Sequence, residues 1–131
     1  MTLNLPPNRL QAAALIFVFL WFFAGGLGHF FAADFFANIM PDYLPWHYPA
    51  VYISGVFELL GAFGLLIPRY RRWAGNGLFV LTLVVTPVNV HMWLNPQLFP
   101  DTSEAFLSIR LLVQVFLLFC IWWSTREPKA L

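Results

Sequence analysis

Charge is what this sequence has least of: Asp, Glu, Lys and Arg make up 10% of its 131 residues, against about a quarter in a soluble domain. Seven cations and six anions leave a formal charge of +1, with no basic stripe to follow a phosphate backbone, so nothing points to a nucleic-acid partner. Cys120 is the only cysteine, which rules out an internal disulfide and a CxxC relay within the chain. Redox chemistry here must therefore use something other than paired thiols. Ligand-spacing motifs such as HExxH and CxxCH are missing, and no internal repeat or low-complexity segment stands out.

What is abundant is apolar. Sixty per cent of the residues are hydrophobic and the mean hydropathy is +0.72, which predicts an integral membrane protein of one compact domain. Four runs, 10–30, 49–67, 73–94 and 105–123, are long enough to cross a bilayer. The predicted fold is an all-α four-helix membrane bundle with a short interfacial segment between spans 1 and 2. The first run invites comparison with a signal peptide, since Arg9 precedes it and Ala24, Gly25 and Gly26 lie near its end, yet it exceeds the ~7 to 15 apolar residues of a signal core. Gly25, Gly26 and Gly28 read better as sites of close helix approach.

Between the first two runs, Asp34, Asn38, Pro41, Asp42, Pro45 and His47 break any spanning helix. Phe31, Phe35, Phe36, Ile39 and Met40 recur at roughly helical spacing, so a short amphipathic helix in the headgroup plane is expected, as a surface loop or as a lid over a cavity. Arg9, Arg69, Arg71, Arg72, Arg126 and Lys129 fall on one side of a four-span arrangement, and Asp34, Asp42, Asp101 and Glu104 on the other. The positive-inside rule then places both termini in the cytoplasm.

Glu58 sits in the middle of the second span, where a carboxylate costs roughly 2.5 to 3.5 kcal/mol even on the lenient insertion scale. It needs a partner, a proton or a polar cavity. Arg110, one turn before Gln114 on the fourth span, is the only cation away from the cytoplasmic side, so a Glu58 to Arg110 ion pair is the simplest arrangement that buries both. On the third span Thr82, Thr86, Asn89 and Trp93 form one polar stripe, and Pro87 among them frees the Leu83 carbonyl. His29, Asn89 and His91 are expected to converge with Glu58, Arg110 and Gln114. Such a set is either a clasp that holds four helices together or a pocket for a small lipophilic ligand, with Glu58 and His91 as acid-base groups and His29, Asn89, Arg110 and Gln114 as binding groups. A haem or metal held by His29 and His91 is a lesser expectation. His47, between Trp46 and Tyr48, reads as interfacial, and Cys120 as packing.

The runs Gly28-His29-Phe30, Ile39-Met40-Pro41 with Leu44-Pro45, Ser54-Gly55-Val56-Phe57-Glu58-Leu59-Leu60-Gly61 and Thr86-Pro87-Val88-Asn89-Val90-His91-Met92 resemble the DoxX-like family of small four-span bacterial membrane proteins. That resemblance implies a four-helix bundle in the bacterial cytoplasmic membrane, and for some relatives a place as a subunit of quinone-linked sulfur-oxidising or thiol-redox complexes. The lone Cys120 fits the thiol-redox role poorly unless a partner supplies the thiols. Fold transfers better than activity across such a family. The expectation is thus a redox-associated subunit that binds a quinone or similar ligand, alone, as a homo-oligomer or with partner oxidoreductase subunits. The alternatives are a non-redox binding or transport protein, an acid-base membrane enzyme, or a structural subunit.

Overall fold

The Asn8 side-chain carbonyl starts the first helix by accepting from the Leu10 and Gln11 amides at 2.9 and 3.3 Å, satisfying two donors that no helical turn can reach. The computed structural model describes residues 5–38, 40, 45–98 and 103–126, with Glu104 described by its backbone alone. Its α-helices are α1 (Arg9–Phe31), α2 (Ala33–Asn38), α3 (His47–Leu65), α4 (Arg71–Leu94) and α5 (Glu104–Ser124), with a short 3-10 turn at Pro96–Leu98. The described residues contain no strand. Ser103 caps α5 by accepting from the Phe106 amide at 3.1 Å.

The four long helices have the length and composition to cross a membrane, and their 19 to 24 residues rise roughly 28 to 36 Å. Their ends fall close to the sequence boundaries. The differences reach two residues at the start of α4, which begins at Arg71 rather than 73, and at both ends of α3, which begins at His47 rather than Pro49 and stops at Leu65 rather than 67. Pro49 fits inside the first turn because amides there have no intrahelical acceptor anyway. At the far end Leu66 and Ile67 close tighter turns onto Phe63 and Gly64, and the Arg71 Nε donates to the Leu65 carbonyl at 2.8 Å.

The long helices form a ring in the order α1, α3, α4, α5, so α3 and α5 stand diagonally. The α1–α3 contact is the most extensive. A Cβ on Gly26 would lie 3.2 Å from the Gly55 carbonyl, and one on Gly55 only 2.8 Å from the His29 Cβ, so both glycines are required by the approach. Leu15, Val18, Phe22, Leu65, Leu78 and Ile121 centre the main core, with Cys120 buried among them. That core occupies the half of the bundle nearer the start of α1 and the end of α5.

Those two ends are tied together. Gln11 donates from Nε2 to the Trp123 and Arg126 carbonyls at 2.8 and 2.9 Å, while the Arg126 guanidinium lies 3.7 Å over the Trp122 ring and bonds Asn76 on α4. Arg9, Arg69, Arg71, Arg72 and Arg126 therefore share one end of the bundle, called the basic end below, and α2 lies at the other. Ile39, Pro41, Asp42, Leu44, Asp101 and Lys129, which entered the sequence reading, lie outside the described residues. The segment between the first two long helices contains the short helix α2, held on α3 by Ala33, Ala37 and Val51 and by the Tyr48 hydroxyl, which donates to Asp34 at 2.6 Å.

Candidate functional site

Toward the α2 end the aliphatic core gives way to polar side chains, and a cavity of about 730 Å³ opens between the long helices. Its volume is in the range of ligand pockets. His29 and Gly25 reach it from α1, Ser54 and Glu58 from α3, Thr82 and Asn89 from α4, Arg110 and Gln114 from α5. Phe35, Phe36 and Met40 line it from the α2 segment.

The acid group is paired with His29. Glu58 Oε2 is 3.6 Å from His29 Nε2, and α1 and α3 are neighbours in the ring. The expected Glu58 to Arg110 ion pair is not present among the described residues. Its absence follows from topology, since α3 and α5 face each other diagonally across the cavity. Equal depth along two helix axes does not make them neighbours.

His29 is held in one orientation. Its Nδ1 lies 2.8 Å from the Val51 carbonyl, a pure acceptor, so Nδ1 carries the proton. Phe36 covers the imidazole with ring centroids 4.2 Å apart. Nε2 is thereby aimed at Glu58 with either a lone pair or a second proton. At 3.6 Å the two groups face each other without forming a hydrogen bond, and Glu58 Oε2 is buried with no hydrogen-bond partner among the described residues. An orphaned buried oxygen of this kind costs about 1 to 3 kcal/mol unless something completes it. Gly25 keeps the space beside it open, since a Cβ there would stand 3.2 Å from Oε2.

Across the cavity the α4 stripe closes onto α5. Gln114 donates from Nε2 to the Thr86 hydroxyl at 2.5 Å and accepts from the Asn89 amide, and Trp93 Nε1 donates to Ser108 at 3.1 Å. Thr82 instead returns its hydroxyl to the Leu78 carbonyl of its own helix at 2.8 Å. Arg110 donates from Nη1 to the Met92 sulfur at 3.2 Å, a weak acceptor for a guanidinium with five N–H groups. No described carboxylate lies within ion-pair distance of it.

His91 is not part of this set. It lines a separate depression on another face of α4 with Leu83, Pro87, Val90 and Asn95, and Asn95 Nδ2 donates to its carbonyl at 2.9 Å. Asn89 and His91 are two residues apart, about 200° around a helix, so they cannot serve one cavity. The imidazole that stands beside Glu58 is that of His29 in its place. For the same reason His29 and His91 do not face each other, and the residues do not fit a di-histidine haem. The described residues hold no cluster of three or more metal-ligating side chains.

Val51 had no role in the sequence reading, Phe36 entered it only through the aromatic spacing between spans 1 and 2, and Met92 only as the end of the run from Thr86. Val51 acts through its backbone carbonyl and Met92 through its sulfur, neither of which residue type announces. Ser54 was visible as the residue one turn before Glu58 on the same face. The five residues that converge, His29, Glu58, Asn89, Arg110 and Gln114, were all legible, while the way they pair was not.

A family model described as Domain of unknown function (DUF8561) matches residues 18–125, a stretch that includes all five. No curated protein and no solved structure matches the chain.

Proposed function

The chain belongs to the DUF8561 family, a domain of unknown function, and we propose from its cavity that it is an integral membrane protein binding a lipophilic small molecule with a hydrogen-bonding head. The observation that carries this reading is Glu58 Oε2, buried on the cavity wall without a hydrogen-bond partner among the described residues and faced by an oriented His29. A ligand hydroxyl or a proton completes that oxygen. Arg110, bonded to a thioether, supplies donors for a ligand carbonyl or anion on the opposite side.

The membrane setting is supported by the four long apolar helices and by large side chains on their outer faces, among them Leu60, Leu112 and Phe119, each more than 60% exposed. The basic end faces the cytoplasm by the positive-inside rule, with both termini there. The DoxX-like resemblance adds the bacterial cytoplasmic membrane as the location.

The first version of the ligand is a quinone. Its reduction takes two electrons, from a partner oxidoreductase subunit, and two protons, and Glu58 with His29 form a proton-exchanging pair at the cavity wall. A non-redox binding, transport or acid-base role would use the same cavity without electrons. A structural clasp is favoured by the Thr86, Asn89 and Gln114 bonds, which need no ligand, but Glu58 takes no part in those bonds.

The test is to extract and identify small molecules that co-purify with the protein, and to titrate it with a benzoquinone. A retained lipophilic molecule is expected, and Glu58→Gln should weaken binding by about tenfold, the loss of one charge-assisted hydrogen bond. No retained molecule together with unchanged affinity in Glu58→Gln would leave the clasp as the better reading.

A further inference from the structure

The cavity is asymmetric in what its wall exposes. Every polar side chain on its lining is buried or half-buried, including His29, Glu58, Asn89, Arg110 and Gln114. The lining residues that are also exposed on the outside of the bundle are Leu20, Trp21 and Ala24 on α1, Phe106 on α5 and Phe35 on α2, all of them apolar or aromatic. They form the rim of a gap.

That gap lies between α1 and α5 on the α2 side. Toward the basic end these helices touch, through Gln11 with Trp123 and through the Phe17 and Phe116 rings at 6.0 Å. Further along, Leu20, Trp21 and Phe106 are 56%, 45% and 54% exposed while still lining the cavity, so the wall is open there. The α3 and α4 sides have no exposed lining residue among those described. An opening with an apolar rim and a polar interior, set in the side of a membrane bundle, matches a molecule whose head is polar and whose tail is a hydrocarbon chain.

We propose that the gap between α1 and α5 is a lateral portal through which a chain-bearing amphiphile enters from the bilayer, placing its head between Glu58 and Arg110 and leaving its tail among Leu20, Trp21 and Phe106. The inference rests on the cavity being a ligand site, as argued above, and adds the class of ligand and its path. A volume of about 730 Å³ accommodates a drug-sized body, so a long isoprenoid or acyl chain stays outside. The tail keeps its contact with lipid throughout and needs no passage through water, which removes the largest barrier to exchanging so apolar a ligand.

Two benzoquinone probes test this in lipid nanodiscs, one without a chain and one with a decyl chain ending in a diazirine. Irradiation of the wild-type complex should attach the chain end to Leu20, Trp21, Phe106 or adjacent lipid. Filling the gap with Ala24→Trp should slow exchange of the decyl probe by at least about tenfold while the chainless probe changes by less than about twofold. Ile16→Trp, at an exposed α1 position outside the cavity lining, should change neither. Attachment at Met40 or Ala50, beneath the α2 cover, would overturn the lateral path, as would equal slowing by Ala24→Trp and Ile16→Trp. Binding of the chainless probe with rejection of the decyl probe leaves the site standing and removes the portal. Binding of neither removes both. The attachment pattern is read on the unmodified chain, so it decides the question even if Ala24→Trp does not fold.

Discussion

On the proposed function Glu58 and His29 act as a unit, their facing atoms Oε2 and Nε2 standing 3.6 Å apart. Nδ1 is committed to the Val51 carbonyl, so any exchange with Glu58 or a ligand must use Nε2. Residues coupled in this way do not contribute additively. His29→Gln is therefore expected to lower ligand affinity about as much as Glu58→Gln, and the double variant should be little worse than either, by equilibrium titration at neutral pH. His91→Ala, on another face of α4, should leave affinity within about twofold. A loss at His91 equal to that at His29 would contradict this assignment of roles. The position of Glu58 was readable from residue type and depth alone, because few reasons exist to place an acid there. Its partner was not readable, since sequence gives height along a helix but not which helix stands beside it. The separation of His91 from Asn89 was within reach, because a two-residue spacing already forbids a shared face.

At the scale of the elements, the α1–α3 crossing sets the geometry of the acid-base pair. Gly55→Ala places a methyl group 2.8 Å from the His29 Cβ, at the root of a side chain that cannot swing away, so the helices must separate. A loss of about 1 to 3 kcal/mol is expected, the usual range for overpacking, measurable as a lower thermal midpoint in detergent, together with weaker ligand binding. The α2 cover depends on a lighter contact. Tyr48→Phe removes the hydroxyl that bonds Asp34 and should raise the ligand dissociation rate by a few-fold with little change in thermal stability, since the bond is exposed. The four long helices were legible from apolar length, and α2 from its aromatic spacing. The sequence left two uses of α2 open, a surface loop or a lid over a cavity, because aromatic residues serve equally well at a membrane surface.

For the molecule as a whole, the charge asymmetry makes a claim about orientation that a labelling experiment can decide. Cysteines introduced at Leu5, beside the start of α1, and at Gln97, in the turn after α4, lie at opposite ends of the bundle. In intact cells a membrane-impermeant maleimide should label Gln97→Cys and should reach Leu5→Cys only after permeabilisation. The reverse pattern would invert the orientation and with it the side on which the cavity lies. The ring order of the helices, which decides that Arg110 faces Glu58 across a space instead of bonding it, is a property of this scale alone.

Cys120 gives this protein a built-in clock. The thiol is buried within the main core, so a small reagent can reach it only when α5 parts from its neighbours. Its modification rate thus measures how often the bundle opens without any denaturant, and a ligand that binds the closed form should slow the clock in proportion to its occupancy.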